Sequence, residues 1–303
     1  MIRTVLVDAA GLAPYAEGLR ALERDITYPL SDGADRFWID HGPDYHPFFT
    51  HLGEAHFLVG LDGPRVVGTI TGVLRHARAN GVPVPTAYLC DFKIARSHRG
   101  GRVARTMLLT ALGLVATQRR FQRWRYAYGA AMRGASGDVM RSARGLHPGH
   151  LFAPAARLRL FFAPADALAA LDPAGCPLTP CAAGLDLSPG AAVEHPIGLV
   201  TTAGRKDLRR VSSGAPWPLV HLGLGPAAWP GRWVDYLRLA AAAAAAEHPG
   251  ALCCFALDER LAAHLAWITA AGLSSDTVCT VYAWRLPGGP PAPAWVHLST
   301  SEI

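Results

Sequence analysis

Runs of apolar residues with two different periods succeed one another along the chain. Ile2 to Asp8 is a short β-branched run that reads as a strand, and Leu12, Tyr15, Leu19 and Leu22 share one side of a helix predicted over Leu12 to Arg24. His56 to Leu61 and Arg65 to Leu74 are β-prone runs parted by Asp62, Gly63 and Pro64, the signature of an antiparallel hairpin. Pro83 to Ala95 gives a further strand. Val103, Met107, Leu108, Ala111, Leu114 and Val115 then fall near helical spacing within Gly101 to Arg119. Trp124 to Ala131 reads as a strand, 137–144 as a short helix and Leu158 to Ala163 as a closing strand. Between the first helix and the hairpin, FWIDHGPDYHPFF (37–49) follows no single period, and a loop with short helical turns is expected there.

Residues 164 to 198 are rich in Pro, Gly, Ala and Cys, which places a linker there. Beyond it, strands are predicted at Leu219 to Leu224, Ala251 to Leu257 and Thr277 to Leu286, with helices at Trp233 to Glu247 and Arg260 to Ala271. The second half thus ends in the strand, helix, strand order of residues 124 to 163, which suggests an internal repeat. The expected division is a domain over 1–165, a linker over 166–198 and a second domain over 199–303.

Composition changes this picture little. Hydrophobic residues make up 50% of the 303 positions and charged ones 17%, which supports a sizeable core and excludes a disordered chain. The net formal charge of +6 comes almost wholly from arginine, the only lysines being Lys93 and Lys206. The N-terminal residues lack a signal-peptide pattern, and the longest apolar run, Leu239 to Ala246, is far shorter than the roughly 20 residues of a membrane span. A cytoplasmic protein without a membrane partner is the expectation. The six cysteines show no repeated CxxC spacing and are expected as free thiols. Asp40, His41, Asp44, His46, His51 and His56 include metal-ligand types, but no HExxH-like spacing links them and no metal is expected.

The chemistry concentrates in AYLCDFKIARSHRGGRVARTMLLTAL, residues 87–112. A strand enters a glycine turn that opens into a helix, and the first N–H groups of a helix lack intrahelical partners at the positive end of its dipole. A phosphate-bearing ligand suits such a place, with Arg99, Arg102 and Arg105 adding charge. The run is neither a GxxxxGK[ST] loop nor a three-glycine dinucleotide fingerprint.

This segment resembles motif A of the GNAT acyltransferases, Arg/Gln-x-x-Gly-x-Gly/Ala, with Arg99, Arg102 and Ala104 at the patterned positions. The resemblance is close over about 25 residues and extends loosely, by element order, over residues 1 to 165. It implies an α/β fold of the α+β kind, a mixed, mostly antiparallel central sheet flanked by helices, followed by a second, degenerate GNAT-like domain. It implies an acyl-CoA cofactor, acetyl-CoA or another acyl-CoA, with its pyrophosphate on Arg99, Gly100, Gly101, Arg102, Val103, Ala104 and Arg105. The pantetheine arm would lie along main-chain groups of Phe92 and Ile94. The family's middle glycine is Arg102 here, and Gly100 and Gly101 stand in for the close approach.

What the resemblance implies about function is N-acyl transfer, in the first place of an acetyl group, to a small-molecule amine or a protein amino group by direct attack on the thioester. Such a reaction needs a proton acceptor for the amine and a donor for the thiolate. The family's usual glutamate position on the strand falls at Tyr88 or Cys90, and its usual tyrosine at Arg141, four residues before Gly145-Leu146. Tyr88, Asp91 and Tyr126 are therefore the candidate catalytic residues, although strand alternation puts Asp91 on the face opposite Tyr88, Cys90 and Phe92. Phe37, Trp38, Tyr45 and Phe48 are candidates for the acceptor pocket. A non-catalytic acyl-CoA-binding module is the second reading. A nucleic-acid surface built on the arginines between Arg96 and Arg125 is the third, but no recognised nucleic-acid motif accompanies them.

Overall fold

A computed structural model describes residues 2–29, 35–132, 152–178, 184–190, 197–223 and 232–303. The elements in chain order begin with β1 (Ile2–Val7), α1 (Ala16–Asp25), β2 (Tyr28–Pro29), β3 (Arg36–Asp40), α2 (Pro47–Leu52), β4 (Glu54–Asp62), β5 (Arg65–Ala79) and β6 (Val82–Ile94). Next come α3 (Arg102–Thr117), β7 (Tyr126–Met132), β8 (Ala153–Pro164), α4 (Ala165–Ala169), β9 (Gly184–Asp186), β10 (Leu199–Val200), β11 (Asp207–Arg210) and β12 (Leu219–Leu222). The chain closes with α5 (Trp233–Glu247), β13 (Leu252–Asp258), α6 (Ala262–Ala270), β14 (Val278–Arg285) and β15 (Trp295–His297). The short helix expected over 137–144, with Arg141 and Gly145-Leu146, lies outside the described residues, as does Cys181.

Twelve strands form one mixed, mostly antiparallel sheet whose main path runs β1-β4-β5-β6-β7-β14-β8-β13-β12-β10. The order strand, helix, parallel strand occurs twice, as β6-α3-β7 and as β12-α5-β13. Each time the strand that follows is handed across: β14 pairs with β7, β8 pairs with β13, and β8 and β14 pair with each other at the centre. The sheet therefore does not divide at 166–198. Three hydrophobic clusters pack on it, one around Leu19, Phe57, Val73 and Met107, one around Trp233, Leu237 and Phe255, and a smaller one around Ala87, Trp124 and Ala127.

The aromatic stretch at 37–49, expected as loop with short helical turns, begins the short helix α2 but also supplies most of the strand β3. Strand β3 pairs with β2 and β11 in a separate three-stranded sheet. Helix α3 lies close against the opposed pair Gly60 and Gly68, where a Cβ at either position would stand 2.8 Å from the Met107 sulfur. Side chains in place of these glycines would lift the helix, and with it the turn at its N-terminus, off the sheet. Among the described residues no helix is long and apolar enough to cross a membrane. Cys90, Cys176, Cys253, Cys254 and Cys279 are free thiols.

Candidate functional site

Strands β6 and β7 run parallel but pair only at Thr86–Tyr126, Ala87–Ala127 and Tyr88–Tyr128. Beyond Tyr88 they diverge, β6 continuing to Ile94 and β7 to Met132 alongside β14. Among the described residues the main chain of β6 from Leu89 onward is thus unpaired on its β7 side, and Phe92 and Ile94 lie in this stretch. The fork is narrow at its root, where a Cβ on Gly129 would come within 2.9 Å of the Leu89 carbonyl.

At the end of β6 the chain makes a short helical turn over Arg96–His98 and reaches Gly100, whose φ of +76° suits glycine. Gly101 is the N-cap of α3; no side chain caps the helix and no acid occupies its first turn. Arg102 begins the helix, so its helical backbone leaves the N–H groups of the first turn directed outward, as a glycine there would. Arg99, Gly100, Gly101, Arg102 and Arg105 are exposed, Ala104 is half-buried, and Val103 is buried beneath them.

The two faces of the forked sheet differ in chemistry. In β5, Gly72 and Leu74 face α3 together with their partners Leu89 and Ala87, whereas Thr71, Val73 and Arg75 face α1 and α2 with Cys90, Tyr88 and Thr86. Simple alternation would carry Lys93 to the α3 face. It does not, because Thr69 pairs with Lys93 and Thr71 with Cys90, leaving Asp91 and Phe92 opposite Ile70 alone. This β-bulge, with Asp91 at φ +53°, brings Asp91 and Lys93 to the face of Tyr88 and Cys90. The sequence expectation that Asp91 points away from Tyr88 and Cys90 is therefore corrected.

Asp91 accepts from the Tyr45 hydroxyl and pairs with Lys93, and Lys93 also reaches Glu23 of α1 at 3.1 Å. Glu23 in turn holds the ring of His41. Burial would raise the Asp91 carboxyl, but Lys93, His41 and the hydrogen bonds from Lys93 and Tyr45 hold it below the usual value. Burial and the neighbouring Asp91 charge push the Tyr45 phenol well up. Ligand atoms of Glu23, His41 and Asp91 lie within 4.8 Å of one another, the separation a metal ion would need. The Lys93 ammonium already pairs both carboxylates and supplies the positive charge a cation would bring.

A second polar cluster adjoins the fork. The Arg75 guanidinium donates to Glu302 at 2.5 Å, to the Tyr128 hydroxyl and to the Leu187 carbonyl, and lies 5.2 Å and 5.7 Å from the ring centres of Tyr88 and Tyr128. Those two rings stack 4.9 Å apart, and Tyr88 donates to the Glu302 carbonyl. Burial raises both phenols, so each is protonated at neutral pH, and burial with the Asp91 charge raises the Cys90 thiol likewise. Tyr126 lies on the same side of β7, its phenol pushed up to about 12 by burial. Lys206 completes the wall, donating to the Ser301 carbonyl and to the main-chain oxygen of Ile303 and lying over the Phe48 ring.

Of the residues singled out in the sequence, Tyr45, Phe48, Tyr88, Asp91 and Tyr126 lie on this face. Phe37 and Trp38 are in β3, Phe37 packing on Tyr28 and Trp217 and Trp38 under Arg24. Glu23, Arg75, Lys206 and Glu302 were missed by sequence reasoning, while His41 was noted only among residues of metal-ligand type. One signal for two members existed: in a chain whose cations are otherwise arginines, both lysines are buried here, Lys93 at 4% and Lys206 at 7% exposure.

Residues 19–130 match the acetyltransferase (GNAT) family. Among solved structures, a tandem GNAT protein from the clavulanic acid biosynthesis pathway aligns over 96% of this chain and 100% of its own, with a TM-score of 0.50 and 13% identity. A probable N-acyltransferase from Enterococcus faecalis V583, of unknown function, covers 94% of this chain and 73% of its own at a TM-score of 0.49 and 8% identity. A GCN5-related N-acetyltransferase from Kribbella flavida covers 95% and 73% at a TM-score of 0.47 and 12% identity. At such identities the likeness to the tandem protein speaks for the fold alone. No curated protein matches the sequence.

Proposed function

We propose that the chain transfers an acyl group from acyl-CoA to an amine, with acetyl-CoA the simplest donor, a reading supported by the match of residues 19–130 to the GNAT acetyltransferase family. The fork between β6 and β7, leading from the exposed glycine turn at the head of α3 to the tyrosine pair, carries this reading. Pyrophosphate oxygens would take the free N–H groups of the first turn of α3, with Arg99, Arg102 and Arg105 around them. The pantetheine amides would complete the unpaired main chain of β6 near Phe92 and Ile94. The thioester then lies at the root of the fork, between an apolar face under α3 and the polar face bearing Tyr88 and Tyr128.

The acceptor amine, from a small molecule or a protein, approaches from the polar face. Its nitrogen attacks the thioester carbonyl, the carbon–sulfur bond breaks, and CoA leaves as a thiolate that takes a proton. Tyr128, at the last pair before the fork and protonated at neutral pH, is the proton donor placed best for that sulfur; Tyr88 is stacked on it. Asp91 is an ionised carboxylate on the same face and is the acid best placed to receive the amine proton through water. The test pairs calorimetric titration with CoA and a thiol-release assay using acetyl-CoA and a broad amine panel. Micromolar CoA binding with thiol release is expected; binding without release on any amine would leave a non-catalytic acyl-CoA-binding module, and no binding would sink both readings.

A further inference from the structure

A cavity of about 130 Å³ lies under α3, and among the described residues no polar atom faces into it. Ala87 and Ala127, the next-to-last cross-strand pair before the fork opens, line it, and Leu89, the first residue past the last pair, stands at its edge with 37% exposure. Ala111 of α3 and Gly72 of β5 form opposite walls, and Trp124 and Trp284, with ring centres 5.4 Å apart, line it as well. His56 also borders the cavity, but its Nε2 is bonded to Glu54 at 2.9 Å and its ring packs edge-on against Phe121.

Close-packed interiors leave few voids larger than a water molecule, so an apolar space of this size at the root of the fork calls for an occupant. Its breadth comes from four small residues, Gly72, Ala87, Ala111 and Ala127. The backbone does not demand glycine at position 72: a Cβ there would make only an ordinary 3.7 Å contact with Leu89. An apolar cavity of similar volume stays dry and accepts a six-carbon ring.

Building on the acyl-CoA reading above, we propose that this cavity receives the acyl chain of the donor. The preferred donor is then a straight-chain acyl-CoA of about four to six carbons, not acetyl-CoA. With the thioester at the root of the fork, a two-carbon group ends beside Leu89 and leaves the cavity empty. Each further methylene moves from water onto apolar walls, which is worth roughly fourfold in affinity.

The test is calorimetric titration of the full chain with CoA, acetyl-CoA, butyryl-CoA, hexanoyl-CoA and decanoyl-CoA. Affinity should rise about fourfold per methylene to the six-carbon chain and fall at ten carbons. Ala111→Leu, a good helix former that fills the space, should flatten the ratio of hexanoyl-CoA to acetyl-CoA affinity to within about twofold while holding or raising the melting temperature. Gly72→Ala gives a smaller reduction of the same ratio and serves where Ala111→Leu fails to fold. Equal affinity for CoA and every acyl-CoA would overturn the cavity assignment and leave the acyl-CoA reading standing. A folded Ala111→Leu protein that keeps the full chain-length slope would overturn it too. Failure to bind CoA itself would remove the reading on which it rests.

Discussion

Replacing Glu302 by Gln removes the carboxylate paired with Arg75 while keeping the size of the side chain. Both side chains are buried, at 7% for Arg75 and 4% for Glu302. Leaving one charge of such a pair uncompensated costs about 3–5 kcal/mol. Arg75 would keep the Tyr128 hydroxyl, the Leu187 carbonyl and two ring faces, and the new amide oxygen can still accept, so a loss of about 2–3 kcal/mol is expected. Urea unfolding followed by tryptophan fluorescence measures it, with Arg75→Met and the double variant completing a cycle. The double variant should recover most of the loss, since it buries no unpaired charge. A loss under about 0.5 kcal/mol for Glu302→Gln would refute the pairing, because an ion pair worth so little behaves as a solvent-screened one.

Other perturbations bear on the same face. Burial lowers the Lys206 ammonium from 10.5 to about 8 despite the opposing Asp91 and Glu302 charges, with Lys93 adding to the depression. Between those values the unfolded chain holds a proton that the folded chain has released, so stability rises with pH across that window, by up to about 3 kcal/mol. The buried thiols of Cys253, Cys254 and Cys279, raised to about 11 to 12, act oppositely above pH 9. The difference between wild type and Lys206→Met is therefore the quantity to read, and a difference that does not change between pH 8 and 10.5 would exclude the shift. Arg99→Glu with Arg102→Glu should weaken CoA binding by about a hundredfold and lower its salt dependence, each charge-assisted contact being worth roughly tenfold. Tyr128→Phe should reduce kcat by about a hundredfold with little change in KM; equal loss in both parameters would point to a binding role.

The hairpin of β4 and β5, the strand β6 and the helices α3 and α5 are legible in the sequence because local period and turn residues determine them. Their observed bounds lie within a few residues of the expected ones, apart from the longer far end of β5. The exposed glycine turn is legible for the same reason, since Gly100 and Gly101 sit directly before the helix. Three features are not. The bulge at Asp91 shifts only two residues out of register, which no alternation pattern records, yet it decides which face Lys93 occupies. The exchange of β8 and β14 between the two strand-helix-strand units depends on pairings far apart in the chain, so a boundary set by composition cannot see it. Glu302 and Lys206 reach Arg75 and the site face from positions more than a hundred residues away. Only the unusual scarcity of lysine hinted at one of them.

The fork between β6 and β7 is the proposed seat of the cofactor. A crystal structure of the chain grown with CoA tests it most directly. Pyrophosphate oxygens are expected about 3 Å from the N–H groups of Gly101 to Val103, with the pantetheine passing between the unpaired edge of β6 and Gly129 of β7. CoA bound elsewhere, for instance at the head of α5, with the fork left empty, would contradict it.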